Sequence, residues 1–460
     1  MNTTRSLCFR SKDFTGVCVA LICVLWLGVF IVRATDRYVV EAGTIENGKD
    51  VPPYNTWTNA ATNIQWAVDV AANTETVLVS NGTYNLTNQI TFTNGITVRS
   101  VNGRDATFIN GNYPDYTNRC FYITNSVVID GFTISNGFAF TNSVGGAYGG
   151  GVYVSAAGAY VQNCAITGNK AFALTNNVAA GGGGIYVNGL SYVINCAISY
   201  NFADTQISAK TGIDGGGGLY VGGGAIVSNC AIFTNVTWCS TTTNVISTRG
   251  GGIKLGSGGS TIANCNIYSN WAQGQGGGVY GYSSGGTIRH CTVNNNYAGS
   301  GSGIDLEYGG LIENCLLVSN MKSVALLNYS CIARNCTIVN NPGGGVRSWT
   351  SGTRFENLII YYNGNKDTSG GSMTFSNCCS YTGLNLNDYG TGNITNAPMF
   401  VNTNAGNYRL SNNSPCINRG TNQSWMTNAV DLDGRMRIRY GIVDMGAYER
   451  IHEATFYRFH

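Results

Sequence analysis

Asp305 and Glu307 lie two apart in a stretch that alternates apolar and polar residues. On an extended strand such residues point the same way, with Cα atoms roughly 6.5 Å apart. That separation is compatible with the paired carboxylates of a hydrolase. With Lys254 near them, the same two acids could instead hold Ca²⁺ for an acidic sugar. A lyase would need a base, for which Tyr280, Lys254 and Arg347 are the available side chains. Asp305, Glu307 and Lys254 are therefore the candidate catalytic residues. The alternative is that acids on a strand face are simply solvated surface.

A second set suits binding rather than bond-breaking. Tyr153, Tyr186, Tyr220, Lys254, Tyr280 and Asp305 occupy equivalent places in successive glycine-led segments and form one outward column. Rings repeated on an exposed strand face would make a ridged platform for the C–H faces of sugars. Cross-strand aromatic pairs also stabilise a sheet with no ligand involved. The segments after Asn169, Asn201 and Asn235 are long, and all leave at one corner, so they would wall one side of this strip. Trp238, Trp271, Asp204, Asp214, Lys210 and Arg249 lie in or beside that wall. The candidate glycan-binding residues are Tyr153, Tyr186, Tyr220, Tyr280, Trp238 and Trp271.

The elements that must position these residues are repeats. Asn-Cys or a close variant recurs at Cys164, Cys196, Cys230, Cys265, Cys291, Cys315 and Cys336, with steps of 32, 34, 35, 26, 24 and 21 residues. Leu358 continues the series without the thiol. Five residues on from each stands a second asparagine column: Asn169, Asn201, Asn235, Asn270, Asn296, Asn320, Asn341 and Asn363. Apolar residues sit three before and two after each Cys, as Val193 and Ile198 do around Cys196. Those two are out of phase for one strand, so a bend must intervene. The Asn before Cys suits that bend because it tolerates the left-handed conformation. Stacked amides of this kind can hydrogen-bond from coil to coil. Glycine-led strands such as Gly184-Ile185-Tyr186-Val187 and Gly218-Leu219-Tyr220-Val221 complete each coil. These glycine runs never continue into Gly-Lys-Ser/Thr, which argues against a nucleotide loop. A period of this kind predicts a solenoid whose stacked coils share one core.

Composition agrees. Of 460 residues, 63 are Gly, 6 are Pro and 11% are charged, while 43% are hydrophobic, too many for a disordered tract. A net charge of +3, with no basic cluster among aromatics, excludes nucleic acid as the expected partner. Arg5, Arg10 and Lys12 precede an apolar run from Val17 to Val32, and cleavage after Ala34 is expected of a signal peptide. The alternative is an uncleaved anchor. No later apolar run is long enough to span a bilayer, so the mature chain is expected to be a secreted or surface monomer without a transmembrane domain.

The Asn-Cys and Gly-Gly-Gly columns resemble the right-handed β-helix repeat of pectate-lyase-like proteins. They are also similar to the short repeats of chlamydial polymorphic outer-membrane proteins. The stretch from Tyr38 through Ala60-Ala61-Thr62-Asn63-Ile64-Gln65 to Val79-Ser80-Asn81-Gly82-Thr83-Tyr84 resembles the N-terminal cap of secreted bacterial β-helix proteins. Ala397-Pro398-Met399-Phe400, Ser414-Pro415-Cys416-Ile417, Asp431-Leu432-Asp433-Gly434 and Asp444-Met445-Gly446-Ala447-Tyr448-Glu449 are similar to the end module called choice-of-anchor Q. The resemblance implies an all-β right-handed parallel β-helix: signal peptide 1–34, cap and first coils 35–125, regular helix 126–380, closing module 381–460. An anchoring signal would follow that module, yet about ten residues remain after Glu449, too few for a spanning tail.

The cysteine column is expected to be a ladder of buried thiols, since parallel neighbours do not aim their Cβ atoms at one another. A metal site is not expected, because there are three His and no Cys-x-x-Cys pair accompanies His452 and His460. Arg289, Glu313, Arg334 and Glu356 alternate in sign at the coil spacing and read as a structural ladder. Arg435, Arg437 and Arg439 would present a basic strand face, and Asp431-Leu432-Asp433-Gly434 a turn. Three functions fit: a scaffold binding polysaccharide or a surface glycan along the tyrosine strip, a polysaccharide lyase or glycoside hydrolase, and an adhesin-like surface protein.

Overall fold

The computed structural model describes residues 35–43, 50–142, 145–174, 179–205, 215–239, 248–282, 286–322, 324–364, 366–371, 373–381, 390–438 and 441–450. The signal segment, Lys210, Asp214, Arg439, His452 and His460 lie outside the described residues.

Among the described residues the chain winds into three long sheets of 13, 12 and 11 strands, each parallel throughout. One coil shows the plan. Tyr192–Ile194 lies in the first sheet, Ala197–Ser199 in the second, and Leu219–Gly222 in the third. Each pairs in register with its equivalents one coil before and after. Such a coil buries its apolar side only by stacking, and inward residues of all three sheets join one continuous core from Val39 to Cys378. This is a right-handed parallel β-helix.

The bend between the first two sheets is made as the sequence predicts. Asn163, Asn195, Asn229, Asn264, Asn314, Asn335 and Asn357 hold φ between 50 and 56°, and His290 takes the same conformation at 52°. Their amides link coils only in places, as where Asn195 Nδ2 donates to Asn163 Oδ1 at 3.3 Å. The unbroken ladder is the second asparagine column, which is buried. Asn235 is typical. Its Oδ1 accepts from the backbone N–H of Asn201 at 3.1 Å and from Asn201 Nδ2 at 3.0 Å. Its Nδ2 donates to Ile198 O at 2.8 Å and to Asn270 Oδ1 at 3.0 Å. The series runs from Gly137 N–H, which donates to Asn169, down to Asn363, which donates to Asp367 Oδ1.

The glycine triplets follow from this ladder. In Gly216-Gly217-Gly218, the first residue has φ +74°, the second would place a Cβ 2.4 Å from Val236 O, and the third would place one 2.9 Å from the Asn235 amide. The cysteine column is a set of buried free thiols. Each thiol hydrogen-bonds the carbonyl two residues back, as Cys230 does to Ser228 O at 3.2 Å, and several accept a backbone N–H from the coil above.

The ends are closed differently. A short helix, Ile64–Val70, capped by Asn63 Oδ1 accepting from Gln65 N–H at 2.8 Å, adds Ile64, Ala67 and Val68 to the core. Residues 390–450 instead lie along the flank of the last coils. Leu410, Cys416 and Met445 pack on Ile359, Tyr361 and Cys379; Tyr408, Ala447 and Tyr448 pack on Leu316 and Val339. This segment alters two expectations. Arg437 is fully buried beside Glu449, with Nη2 donating to Gly446 O at 2.7 Å, and Arg435 pairs with Asp433 at 2.7 Å, so these two do not present the expected basic face. In the alternating charge column, Arg334 pairs with Glu313 and lies 4.1 Å from the Trp425 ring centroid, while Glu356 accepts from Gln423 Nε2 at 2.7 Å. Asp431 does make the expected turn, its Oδ1 accepting from the N–H of Asp433 and Arg435.

Asn235→Ala removes the partner of two donors of Asn201 and of the Ile198 carbonyl in the core, while Asn270 Oδ1 keeps only the backbone N–H of position 235. The expected loss of unfolding free energy is about 3 kcal/mol, read from the urea midpoint. Asn229→Gly, which keeps the left-handed bend, is expected to change it by less than about 0.5 kcal/mol.

Candidate functional site

The tyrosine column stands on the outer side of the third sheet, in register from Tyr122 through Tyr153, Tyr186, Tyr220, Lys254 and Tyr280 to Asp305. Its expected exposure is not observed. Tyr153 is half-buried, while Tyr186, Tyr220 and Tyr280 keep 7%, 8% and 0% of their surface, Lys254 1% and Asp305 0%. Two physical causes act together. Strands at the coil spacing stack the rings face to face: Tyr153 on Tyr186 at 5.2 Å and 2°, Tyr186 on Tyr220 at 4.6 Å and 13°. The faces a sugar would use are therefore occupied by each other.

The second cause is a two-layered flap. After Gly137 and after the ladder asparagines Asn169, Asn201, Asn235, Asn270 and Asn296 the chain adds a further strand, and these six, from Phe138–Thr141 to Tyr297–Ser300, form a parallel sheet. Ala139, Ala171 and Ala173 on this sheet meet Ala147 and Ala180 on the returning chain, and such small residues let the layers lie close. From the returning chain Tyr148 reaches the Tyr186 ring at 4.7 Å, and Arg249 reaches that of Tyr280 at 4.9 Å. The long segments thus cover the strip rather than merely flank it.

Beneath Arg249 the candidate catalytic residues do converge. Lys254 Nζ lies 4.3 Å from the centre of the Tyr280 ring, and Tyr280 pairs in register with Asp305. Half-buried Glu307 pairs with Tyr282 on the same strands. Tyr280 Oη and both Asp305 carboxylate oxygens are buried without hydrogen-bond partners among the described residues. Burial first, and the Glu307 charge second, push the Asp305 carboxyl well above the ordinary carboxylate range, while Arg249 and Lys254 oppose this. Burial likewise pushes the Tyr280 phenol up. The site thus holds a carboxylic acid that favours its neutral form. Ca²⁺ needs six to eight oxygen ligands, and among the described residues no three acidic, His or Cys side chains gather as a metal site would require. The two acids alone do not fit that ion.

Open aromatic surface lies elsewhere. On the outer side of the flap, Trp238 is 39% exposed and stacks on half-buried Trp271 at 5.2 Å, which in turn stacks on Tyr297 at 6.3 Å. The partner of Trp238 in the preceding strand is Asp204, a carboxylate rather than a ring. A second ridge, not anticipated from the sequence, follows the third sheet: Tyr282, Tyr308, Tyr329 and Trp349, all exposed. Tyr308 and Tyr329 stack at 4.2 Å, and the Arg347 guanidinium lies 3.5 Å from the centre of the Trp349 ring. Part of the signal was present: Tyr308 and Trp349 directly follow the glycine-led strands Ile304–Glu307 and Val346–Ser348.

Comparison with known proteins agrees with the architecture. No family model matches the chain, and no curated protein matches it. Among solved structures, the pectate lyase Pel9A is similar with a TM-score of 0.50 at 18% identity, over 90% of this chain and 96% of that one. XylC in complex with xylose gives 0.48 at 9% identity, over 90% and 98% of the two chains. The Dettilon tailspike protein gives 0.46 at 13%, over 79% and 69%. The chain therefore has the pectate-lyase-like right-handed parallel β-helix fold. Among the described residues no helix is long and apolar enough to cross a membrane.

The raised Asp305 value fixes the sign of a pH effect. Its folded value lies above the unfolded one of about 3.9, so its contribution to stability is complete below that pH and is lost as pH rises toward the folded value. Asp305→Asn removes this slope. Relative to wild type the variant is expected to gain stability as pH rises above about 4, measured by urea midpoints; a pH-independent difference would contradict it.

Proposed function

We propose that the chain is an exported β-helix protein that binds polysaccharide or a surface glycan, with the export signal in residues 1–34. The observation that carries this reading is the exposed Trp238 stacked on Trp271. An indole face takes the apolar side of a sugar. The buried tyrosines Tyr186, Tyr220 and Tyr280 then serve to hold the third sheet and the flap together, and contact passes to the open aromatics.

A second reading, a polysaccharide lyase or glycoside hydrolase, is favoured by the buried Asp305 carboxyl, pushed upward by burial and without a hydrogen-bond partner among the described residues, beside Lys254, Tyr280 and Glu307. A carboxylic acid kept protonated by burial is the usual form of a general acid. On this reading the cover formed by Arg249 must move before substrate can arrive.

One experiment serves both. The protein is passed over immobilised neutral and acidic polysaccharides, and the soluble polymers are sized after incubation. Trp238→Ala with Trp271→Ala is expected to weaken retention about tenfold or more with the fold intact; unchanged retention removes the flap from the reading. Shortened chains abolished by Asp305→Asn would instead establish the enzyme.

A further inference from the structure

We propose that the cleft opened where the flap ends binds an acidic glycan, gripping a sugar carboxylate between Arg347 and Lys366; this rests on the polysaccharide reading above. The later coils omit the flap. Between the ladder residue Asn341 and the third-sheet strand Val346–Ser348 stand only Pro342 and three glycines. Where Arg249 covers Tyr280 the outer face of the third sheet is closed, but at Arg347 it opens into a cleft of 480 Å³ lined by Gly343–Gly345, Arg347, Lys366 and Ser369. The glycines contribute no side chain to its wall.

The charges in this cleft are unbalanced. Among the described residues neither Arg347 nor Lys366 forms an ion pair, whereas Arg37, Arg334, Arg409, Arg435 and Arg437 each do. Arg347 is half-buried, and its Nε is buried without a hydrogen-bond partner. The neighbouring acid, Asp367, is turned inward: it accepts from Asn363 Nδ2 at 3.0 Å and from Tyr381 N–H at 3.1 Å. A half-buried guanidinium without a counter-ion has lost solvation that an anionic ligand restores. Its planar fork matches a carboxylate in two parallel hydrogen bonds.

The neighbouring surface points to a sugar rather than a bare anion. Trp349, 59% exposed, holds one side of the Arg347 guanidinium, and the ridge of Tyr329, Tyr308 and Tyr282 continues from it. Cation and rings side by side suit a polymer whose units each carry a carboxylate on an apolar-faced ring.

The test is calorimetric titration of the full chain with a galacturonic acid hexamer, and with the same hexamer methyl-esterified. The acidic hexamer is expected to bind, more weakly as salt rises. Arg347→Gln is expected to weaken that binding about tenfold while leaving binding of the esterified form unchanged. Arg347→Lys, which keeps the charge but loses the fork, is expected to fall between. Thermal unfolding of each variant reports on its fold. Equal binding of the two hexamers, or no effect of Arg347→Gln, would overturn the cationic grip while leaving glycan binding by the flap standing. Inorganic sulfate competing as well as the hexamer would overturn the sugar part. Binding of neither hexamer would overturn the inference, and retention by Trp238 and Trp271 would still be judged separately.

Discussion

A buried asparagine amide has two donors and two acceptor sites to satisfy, and in this protein each ladder amide meets that demand through the coils on either side of it. Asn201, Asn235 and Asn270 donate along the stack and also hold backbone groups that the turn would leave unpaired. The geometry admits little variation, because an amide displaced by one residue would leave several buried polar groups without partners. The rest of the coil is arranged around it. The glycines that follow have no side chain because the amide, and the backbones of neighbouring coils, occupy the space.

Once the ladder fixes where every coil turns, coil length becomes the variable that decides what is exposed. Long coils add a strand beyond the ladder and fold it back, and the return lays Tyr148 and Arg249 over the third sheet. The same outer column then changes character along the stack without changing register. It is stacked tyrosine under the flap, a sealed group of Lys254, Tyr280 and Asp305 near the flap's end, and a solvent-facing Arg347 beyond it. Closure by the flap raises the Asp305 carboxyl, and omission of the flap leaves the Arg347 guanidinium at an open cleft.

The C-terminal segment uses a different outer face. It lies on the second sheet, where outward positions become apolar at Leu316, Val339 and Ile359, and it carries its own buried charges inside the contact. Burial pushes the Glu449 carboxyl up to about 8 beside the buried Arg437. Arg435 and Arg437 spend their charges within the segment, on Asp433 and Glu449.

The sequence by itself determined the helix. Two asparagine columns, a thiol column and glycine triplets each report a local requirement: a left-handed bend, a satisfied amide, a small buried group, a close approach of backbones. Such requirements depend on neighbours at a fixed period and can be read along the chain, which is also how Asp305, Lys254 and Tyr280 could be placed on one face. Tertiary structure alone decided exposure. Alternation tells which residues point away from the core, but whether solvent or another layer meets them depends on how the long segments return. The tyrosine strip was legible as a column and not as a buried one, because its cover is made by residues of irregular sequence between the repeats. The aromatic ridge from Tyr282 to Trp349 went unread for the complementary reason. Beyond Tyr282, which ends a strand, its residues sit in bends, where no strand alternation marks them, and only the stacking of successive coils makes them one surface.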